Sequence, residues 1–423
     1  MNRRIIFIVI ENFNREYSGK KLLAEELSSK GYTVFLGHKS ILRTLIKLNP
    51  LKDQIYIEKG LTLGSGERIK KAKKSGMIIF SFDEEALMQT DPDNYSRFNH
   101  EMDSMENIDG IFSWGPKHSK LLKKIGYKEK KIIRTGNPRF DIYKIKSNIS
   151  VQKKLKKYIL ICSRFCIERG AEIFNHNYRF IKPLEDIYEK LLYLPKFLRD
   201  SNIDNPILIR PHPSEKTEQW FEATDGLKNI LISSDGPVAN TFEKSLMMIH
   251  NRCTTGIEAF ISNLPVISYE PIKLEEPPHP PSEFINSFAN AIVTKDSELI
   301  SNINNILENK TSSSVNLMSA VNYLYSPEKL SYKEISRFLV GCYPPIKNNL
   351  SKTSFLKIYL IIFIIYIYHK FQKIKLLIFN KKKYHYIKNK TGKFYVDSSQ
   401  RKFESSNLNL FKFCGIRIYF PMK

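Results

Sequence analysis

The sequence has 423 residues, 42% hydrophobic and 12% aromatic. It is too long for one typical core and too apolar for a disordered chain, so two or three globular domains are expected. A formal net charge of +24 and a pI near 9.6 point to anionic partners. The five cysteines are odd in number and widely spaced, and Cys162-x3-Cys166 has no second pair to complete a zinc site. Reduced thiols and no metal requirement are expected.

In chain order, Ile5–Ile10 is a buried-type strand, too short for a signal peptide, and it runs into Glu11, Asn12, Asn14, Arg15 and Glu16. A helical pattern over Lys20–Lys30 stops at Gly31. Strands follow at Tyr32–Leu36, Gln54–Ile57, Met77–Phe82 and Asp109–Trp114, alternating with helices at Ser40–Leu48, Glu67–Lys74 and from Pro116 to Lys124. Residues Ile142–Lys156 are polar and lysine-rich and read as a linker. A second series then runs through strands at Tyr158–Cys162, Pro206–Arg210, Ile230–Ser233, Leu246–His250, Pro265–Tyr269 and Ala291–Thr294. Helices are expected at Leu184–Arg199 and Ser297–Asn309, and a terminal helix at Pro327–Val340 is placed to return across the first domain. Strand–helix alternation of this kind predicts doubly wound parallel sheets. The first strand is not followed by G-x-G-x-x-G, which disfavours a nicotinamide or flavin cofactor; no cofactor is expected.

The stretch Ile207–Tyr269 carries the chemistry. Arg210-Pro211-His212-Pro213 places a histidine between two prolines that stiffen its loop. About 40 residues on, Thr254-Thr255-Gly256 opens a helix, where free N–H groups favour an anion. Loops at the carboxyl ends of parallel strands are where ligands bind in such sheets, so the two loops together suit a phosphate or diphosphate. Thr255-x-x-Glu258 also fits a capping box. In the first half, Asp83-Glu84-Glu85 follows a strand and offers a general base, or simply acidic residues at a helix start. Arg15, Arg139 and Arg210 suit pairing with donor or acceptor anions, or structural ion pairs.

The carboxyl region differs in kind. Ile358–Tyr368 is an uncharged run of Ile, Leu, Phe and Tyr, short of the roughly 20 apolar residues a span needs. Lys370, Lys373, Lys375 and Lys381-Lys382-Lys383 follow. Residues 351–423 hold 16 Lys and Arg against two acids. An apolar segment with a polybasic flank predicts attachment to an anionic membrane surface; a buried segment with a solvated tail is the alternative. No nucleic-acid-binding module is matched, and nucleic acid is not an expected partner.

Ile10-Glu11 with Arg15-Glu16, Gly37-His38-Lys39, Asp83-Glu84-Glu85, Ser113-Trp114-Gly115, Thr135 to Asp141, Arg210 to Pro213 and Cys253 to Ala259 occur in that order. As a set they resemble the bacterial surface carbohydrate biosynthesis protein family, which is similar to GT-B glycosyltransferases; the likeness covers about residues 1–340. The histidine–proline loop also resembles that of bacterial sialyltransferases and capsule Kdo transferases.

The resemblance implies two Rossmann-like doubly wound α/β domains facing across a cleft. An acceptor-side domain would span 1–145 and a donor domain 157–345; the basic, apolar tail over 351–423 lies outside the resemblance. The resemblance further implies a metal-independent glycosyltransferase of lipopolysaccharide or capsule synthesis, and the apolar, basic tail would hold it peripherally at the inner face of the cytoplasmic membrane. A CMP-linked acidic sugar would be the donor and a glycan or lipid-linked glycan the acceptor. His212, Thr254 and Thr255 would hold the donor phosphate, with Gly256 and Glu258 beside them, and Asp83 or Glu84 would act on the acceptor. Glu11, Arg15, Arg139 and Arg210 join the substrate-binding set. Ala86 stands where the sialyltransferase pattern usually has glycine, which leaves open which carboxylate is the base. A CDP-polyol phosphotransferase, a nucleotide-sugar epimerase and a non-catalytic scaffold are the competing readings.

Overall fold

The computed structural model describes residues 4–147, 157–164, 178–272, 285–309, 329–345, 356–367 and 411–419, apart from 63, 85, 87–99, 213, 214, 216, 235, 287, 359, 365, 366, 414 and 415. Glu85, Pro213, residues 148–156, the proline-rich stretch 275–281 and the lysines from 370 to 383 therefore lie outside the described residues. The chain forms two compact units, one of residues 1–142 with 321–423, the other of residues 143–320.

The first unit is built on β1 (Ile5–Ile10), β2 (Thr33–His38), β3 (Ile55–Glu58), β4 (Ile78–Ser81), β5 (Gly110–Ser113) and β6 (Ile132–Arg134). They pair in parallel in the order β2-β1-β3-β4-β5-β6. The intervening helices are α1 (Phe13–Ser29), α2 (Lys39–Leu48), α3 (Gly66–Lys74), α4 (Met102–Asn107) and α5 (Pro116–Lys124). Every residue of β1 is buried because both faces of the sheet are covered. Side chains alternate along the strand. Ile5, Phe7 and Val9 join Leu42 and Leu45 of α2 and Ile69 of α3 in one core. Ile6, Ile8 and Ile10 join Leu23 and Leu27 of α1 in the other.

The chain enters the second unit within α6 (Asp141–Ser147), so the expected linker begins as helix rather than coil. The second sheet has six parallel strands in the order β12-β11-β10-β7-β8-β9: β7 (Tyr158–Cys162), β8 (Ile207–Arg210), β9 (Ile230–Ile232), β10 (Ser245–His250), β11 (Val266–Tyr269) and β12 (Ala291–Val293). Its helices are α7 (Tyr178–Asp200), α8 (Thr217–Ala223), α9 (Ala239–Phe242), α10 (Thr255–Ile261) and α11 (Asp296–Leu307).

The terminal helix does return to the first unit. In α12 (Ser331–Cys342), Ile335 and Leu339 enter the core beneath α1. Its first two amides, on Ser331 and Tyr332, donate to the Asp141 carboxylate at 2.9 and 2.8 Å, an anion at a helix N-terminus. Tyr32 Oη donates to the carbonyls of Tyr343 (2.7 Å) and Leu339 (3.2 Å). The expected second-domain range of 157–345 is corrected accordingly, since 321–345 belongs to the first unit.

The region beyond 351 is also not set apart from the domains where it is described. Residues 356–358 and 360–364 are helical, and Ile358 and Ile362 are buried in the first core. A hairpin of β13 (Phe411–Phe413) and β14 (Ile416–Tyr419) extends the sheet, β14 pairing antiparallel with β2. The physical reason is that β2 would otherwise present an open strand edge. Ile416 and Ile418, two residues apart, drop into the core it covers. No helix among the described residues is long and apolar enough to cross a membrane.

Candidate functional site

The loops at the carboxyl edge of the first sheet form a dense charged network. Asn12 caps α1 by accepting the Arg15 amide at 3.2 Å, which places Glu16 and Lys20 one turn apart on the buried side of the helix. Lys20 is 2% exposed. Its Nζ donates to Glu16 Oε2 (2.8 Å) and to the Val9 carbonyl (2.9 Å), and lies 2.8 Å from Glu84 Oε1. Burial alone would lower the Lys20 pKa, but Glu16 and Glu84 outweigh it and raise the value above the ordinary one. Glu16 in turn accepts the amides of Glu11 (3.1 Å) and Asn12 (2.9 Å), so the loop after β1 is folded around its carboxylate. Asn137 Nδ2 reaches Glu84 Oε2 at 3.3 Å. Gly19 allows the Pro138 loop to close onto α1, since a Cβ there would collide with the Pro138 carbonyl.

Asp83 sits beside this network, 3% exposed, with Nε2 of His118 at 3.2 Å and of His100 at 3.4 Å from Oδ2. His118 Nδ1 accepts the Trp114 amide at 3.1 Å, which leaves its Nε2 as the protonated nitrogen, donating to Asp83. His100 Nδ1 lies 2.9 Å from Tyr127 Oη. Burial pushes the Asp83 carboxyl up, but the bonds from His100 and His118 prevail and hold it well below the usual carboxylate range. A carboxylate so held is a fixed negative charge rather than a ready proton acceptor. On the other side of β1, Glu11 is 30% exposed at its side chain and is bridged by Lys39 after β2 and Lys59 after β3. Strand order reverses beside β1, the usual position of a ligand crevice in such sheets.

The second sheet reverses beside β7, between β10 and β8. There Arg164, following β7, donates through Nε to the Asn251 carbonyl (2.8 Å) and through Nη2 to Asn251 Oδ1 (3.4 Å). Burial lowers its pKa to about 10. The His212 loop is anchored from below: Glu215 accepts Ser163 Oγ at 2.6 Å and Trp220 Nε1 at 3.0 Å, and its amide donates to the His212 carbonyl at 2.9 Å. Half-buried Arg210 donates to the Gly236 carbonyl and to Thr241 Oγ1 at 3.4 Å. After β10, His250 Nδ1 accepts the Cys253 amide at 2.9 Å and turns the chain into α10. A Cβ on Gly256 would lie 2.7 Å from His250 Nε2, so only glycine lets the helix start approach that ring. Thr254, the N-cap, makes no capping bond with its side chain. Glu258 is buried, 3% exposed. Cys162 and Cys253 are buried free thiols whose pKa burial pushes up, which disfavours nucleophilic roles. Among the described residues, no group of three or more His, Cys, Asp or Glu is placed to hold a metal ion.

The sequence-predicted residues thus fall in two places. Glu11, Arg15, Asp83, Glu84 and Arg139 lie at the carboxyl edge of the first sheet; Arg210, His212, Thr254, Thr255, Gly256 and Glu258 lie at that of the second. Within the first set, Glu84 and Asp83 enter different networks, and Arg15 lies 3.9 Å from Glu16. Sequence reasoning missed Lys20, His100, His118, Lys59, Ser163, Arg164 and His250. Glu16–Lys20 carried a local signal, the i,i+4 spacing of opposite charges; His118, His100, Lys59, Ser163 and Arg164 meet carboxylate or amide partners from other elements.

No protein-family model matches the chain, and no curated protein matches it. Solved structures do resemble it in fold. MnaA of S. aureus, solved with UDP, aligns with 14% identity and a TM-score of 0.53 over 81% of this chain and 97% of that one. UDP-GlcNAc 2-epimerase of Methanocaldococcus jannaschii, in complex with UDP-GlcNAc and UDP, aligns with 14% identity and a TM-score of 0.53 over 80% and 99%. UDP-N-acetylglucosamine 2-epimerase of Rickettsia bellii aligns with 14% identity and a TM-score of 0.50 over 81% and 97%. At this identity the likeness is one of fold: this chain is an α/β protein with two Rossmann-like, parallel-sheet domains of GT-B type.

Proposed function

We propose that the protein is an enzyme of surface-glycan biosynthesis that transfers a sugar from a nucleotide-activated donor. The observation that carries this reading is the carboxyl edge of the second sheet. There the His212 loop, the Arg210 guanidinium and the Thr254-Thr255-Gly256 turn gather on a GT-B-like fold, and they suit the phosphates of a nucleotide sugar. Leaving-group stabilisation is assigned to His212, Arg210 and the threonine turn. Proton removal from the acceptor hydroxyl is assigned to Glu84, which Lys20 and Asn137 orient. Asp83, held charged by His100 and His118, positions that loop. The solved neighbours contain UDP or UDP-GlcNAc, which favours a uridine donor over the CMP-linked sugar expected from the sequence. An enzyme extending a lipid-linked glycan works at a membrane surface.

The same neighbours favour a second reading, a nucleotide-sugar epimerase. Thermal-shift titration with UDP, CMP, CDP and UDP-GlcNAc tests both, followed by incubation of the full chain with the stabilising nucleotide sugar alone and with a glycan acceptor. Acceptor-dependent release of nucleotide supports the transferase. Inversion at C2 of the sugar without acceptor replaces it with the epimerase. Failure of every nucleotide to raise Tm overturns both.

A further inference from the structure

Helical residues 356–358 and 360–364 are apolar on two faces. Ile358 and Ile362 are buried in the first unit's core with Ile41, Leu42 and Leu45 of α2. Leu356, Leu360 and Ile364 recur every four residues on another face and are 69%, 56% and 56% exposed, with Phe363 beside them at 44%. Leu48, at the end of α2, is 63% exposed. Exposed leucines are ordinary when scattered; a ridge of this length in one layer marks an interaction surface.

The same layer is strongly basic. Arg43 and Lys47 of α2 and Arg68 and Lys71 of α3 line a surface pocket of about 160 Å³, with Glu67 as the acid on its wall. Buried Glu58 is occupied by the two arginines, 2.9 Å from a guanidinium nitrogen of each. Lys47 and Lys71 are left exposed with no carboxylate partner among the described residues, and Lys357 is exposed on the apolar helix itself. Helix α2 contains no acidic residue and α3 contains one.

We propose that the layer formed by α2, α3 and helical residues 356–358 and 360–364 is the face by which this protein docks on an anionic lipid bilayer. The Leu356–Leu360–Ile364 ridge enters the acyl boundary, and Lys47, Lys71 and Lys357 meet the headgroup phosphates. Charge selects this occupant. A second copy of the chain seated on the same face by a two-fold axis would set lysines against lysines, whereas anionic headgroups complement them. The lysines from 370 to 383 follow the ridge in sequence and add charge of the same sign. The inference does not rest on the catalytic reading.

The test is co-sedimentation of the full chain with phosphatidylcholine vesicles, with and without phosphatidylglycerol. The wild type, Leu360→Asp/Ile364→Asp and Lys47→Glu/Lys71→Glu are compared, with Tm and nucleotide binding followed for each. The wild type is expected to pellet with anionic vesicles and to be partly released by salt. The lysine variant should lose roughly thirtyfold or more in partitioning to anionic vesicles, at about fivefold per lysine removed, with Tm unchanged. The ridge variant should lose binding to both vesicle types; if it unfolds, the lysine variant decides. Failure of the wild type to pellet, or equal pelleting of wild type and lysine variant, overturns the proposal. So does a dimer that the ridge variant dissociates without loss of vesicle binding, which would assign the ridge to a second copy. Nucleotide binding that survives in every variant separates failure of this surface from failure of the enzyme reading.

Discussion

At the carboxyl edge of the first sheet, opposite charges are buried against one another: Lys20 with Glu16 and Glu84, and Asp83 with two histidines. At the carboxyl edge of the second, the groups are half-exposed arginine and histidine, hydroxyls and a close backbone turn, and the buried histidine there is held neutral. The first edge has its charges compensated before any ligand arrives, which fixes geometry at a high desolvation cost. The second carries the Arg210 guanidinium, the His212 loop and the threonine turn, which on the proposed reading face an incoming anion. On the proposed reading, one fold used twice supplies an acceptor-side carboxylate at the first edge and donor binding at the second.

The largest expected effect follows from the chain's return to the first unit alone. Deleting the residues after Lys352 removes Ile358, Ile362, Ile416, Ile418 and Tyr419, all about 1% exposed or less. At about 1.5–3 kcal/mol for each large apolar side chain, the loss is comparable to the whole stability of a typical domain. Differential scanning calorimetry of the truncated chain should show the first unit's transition lost or shifted far down, with the second unit's kept. A truncated protein with both transitions intact would show that the returning segments contribute little.

Lys20→Met strands two buried carboxylates and should cost about 3–5 kcal/mol in urea denaturation. A loss below about 1 kcal/mol would mean that Glu16 and Glu84 are solvated, and that the first edge is less closed than its geometry indicates.

The catalytic halves of the comparison separate in kinetics. Glu84→Gln should lower kcat by roughly 10²–10⁴ with nucleotide affinity nearly unchanged. His212→Ala should cost on the order of 10²–10³ and weaken nucleotide binding. Calorimetric titration of both variants beside steady-state rates checks the division; the reverse pattern would exchange the roles of the two edges.

The smallest effect is read in pH. Burial lowers the pKa of His250 from 6.5 to about 4. The unfolded chain thus takes up this proton before the folded one does, and stability falls as pH drops through 6.5 and levels off below about 4. Between pH 7 and pH 5 this site is worth about 2 kcal/mol. Asp83 does not contribute in that window: its depressed carboxyl adds stability that is present above the unfolded value and is lost only as pH falls through the folded one. Urea midpoints at pH 7 and pH 5 should converge in His250→Asn relative to wild type, and equal slopes for the two proteins would show the ring to be hydrated.

Much of this molecule was legible in the sequence because strands such as Ile5–Ile10 and Tyr158–Cys162 carry their signal locally: apolar runs with polar ends, alternating with helical periodicity. The same locality exposed the loops that hold Glu11, Asp83, Glu84, His212 and Thr254, since strand ends in parallel sheets are where polar residues gather. Only the tertiary structure decided what each touches. Asp83 is an ordinary acid in the sequence and becomes a fixed charge when His100 and His118 reach it from later elements. Ile416 and Ile418 look like part of a basic tail until β2 offers them an open edge nearly 400 residues earlier in the chain. Periodicity is a property of neighbours in sequence, whereas desolvation and ion pairing belong to neighbours in space, and at this site those neighbours come from different strand-end loops and helices.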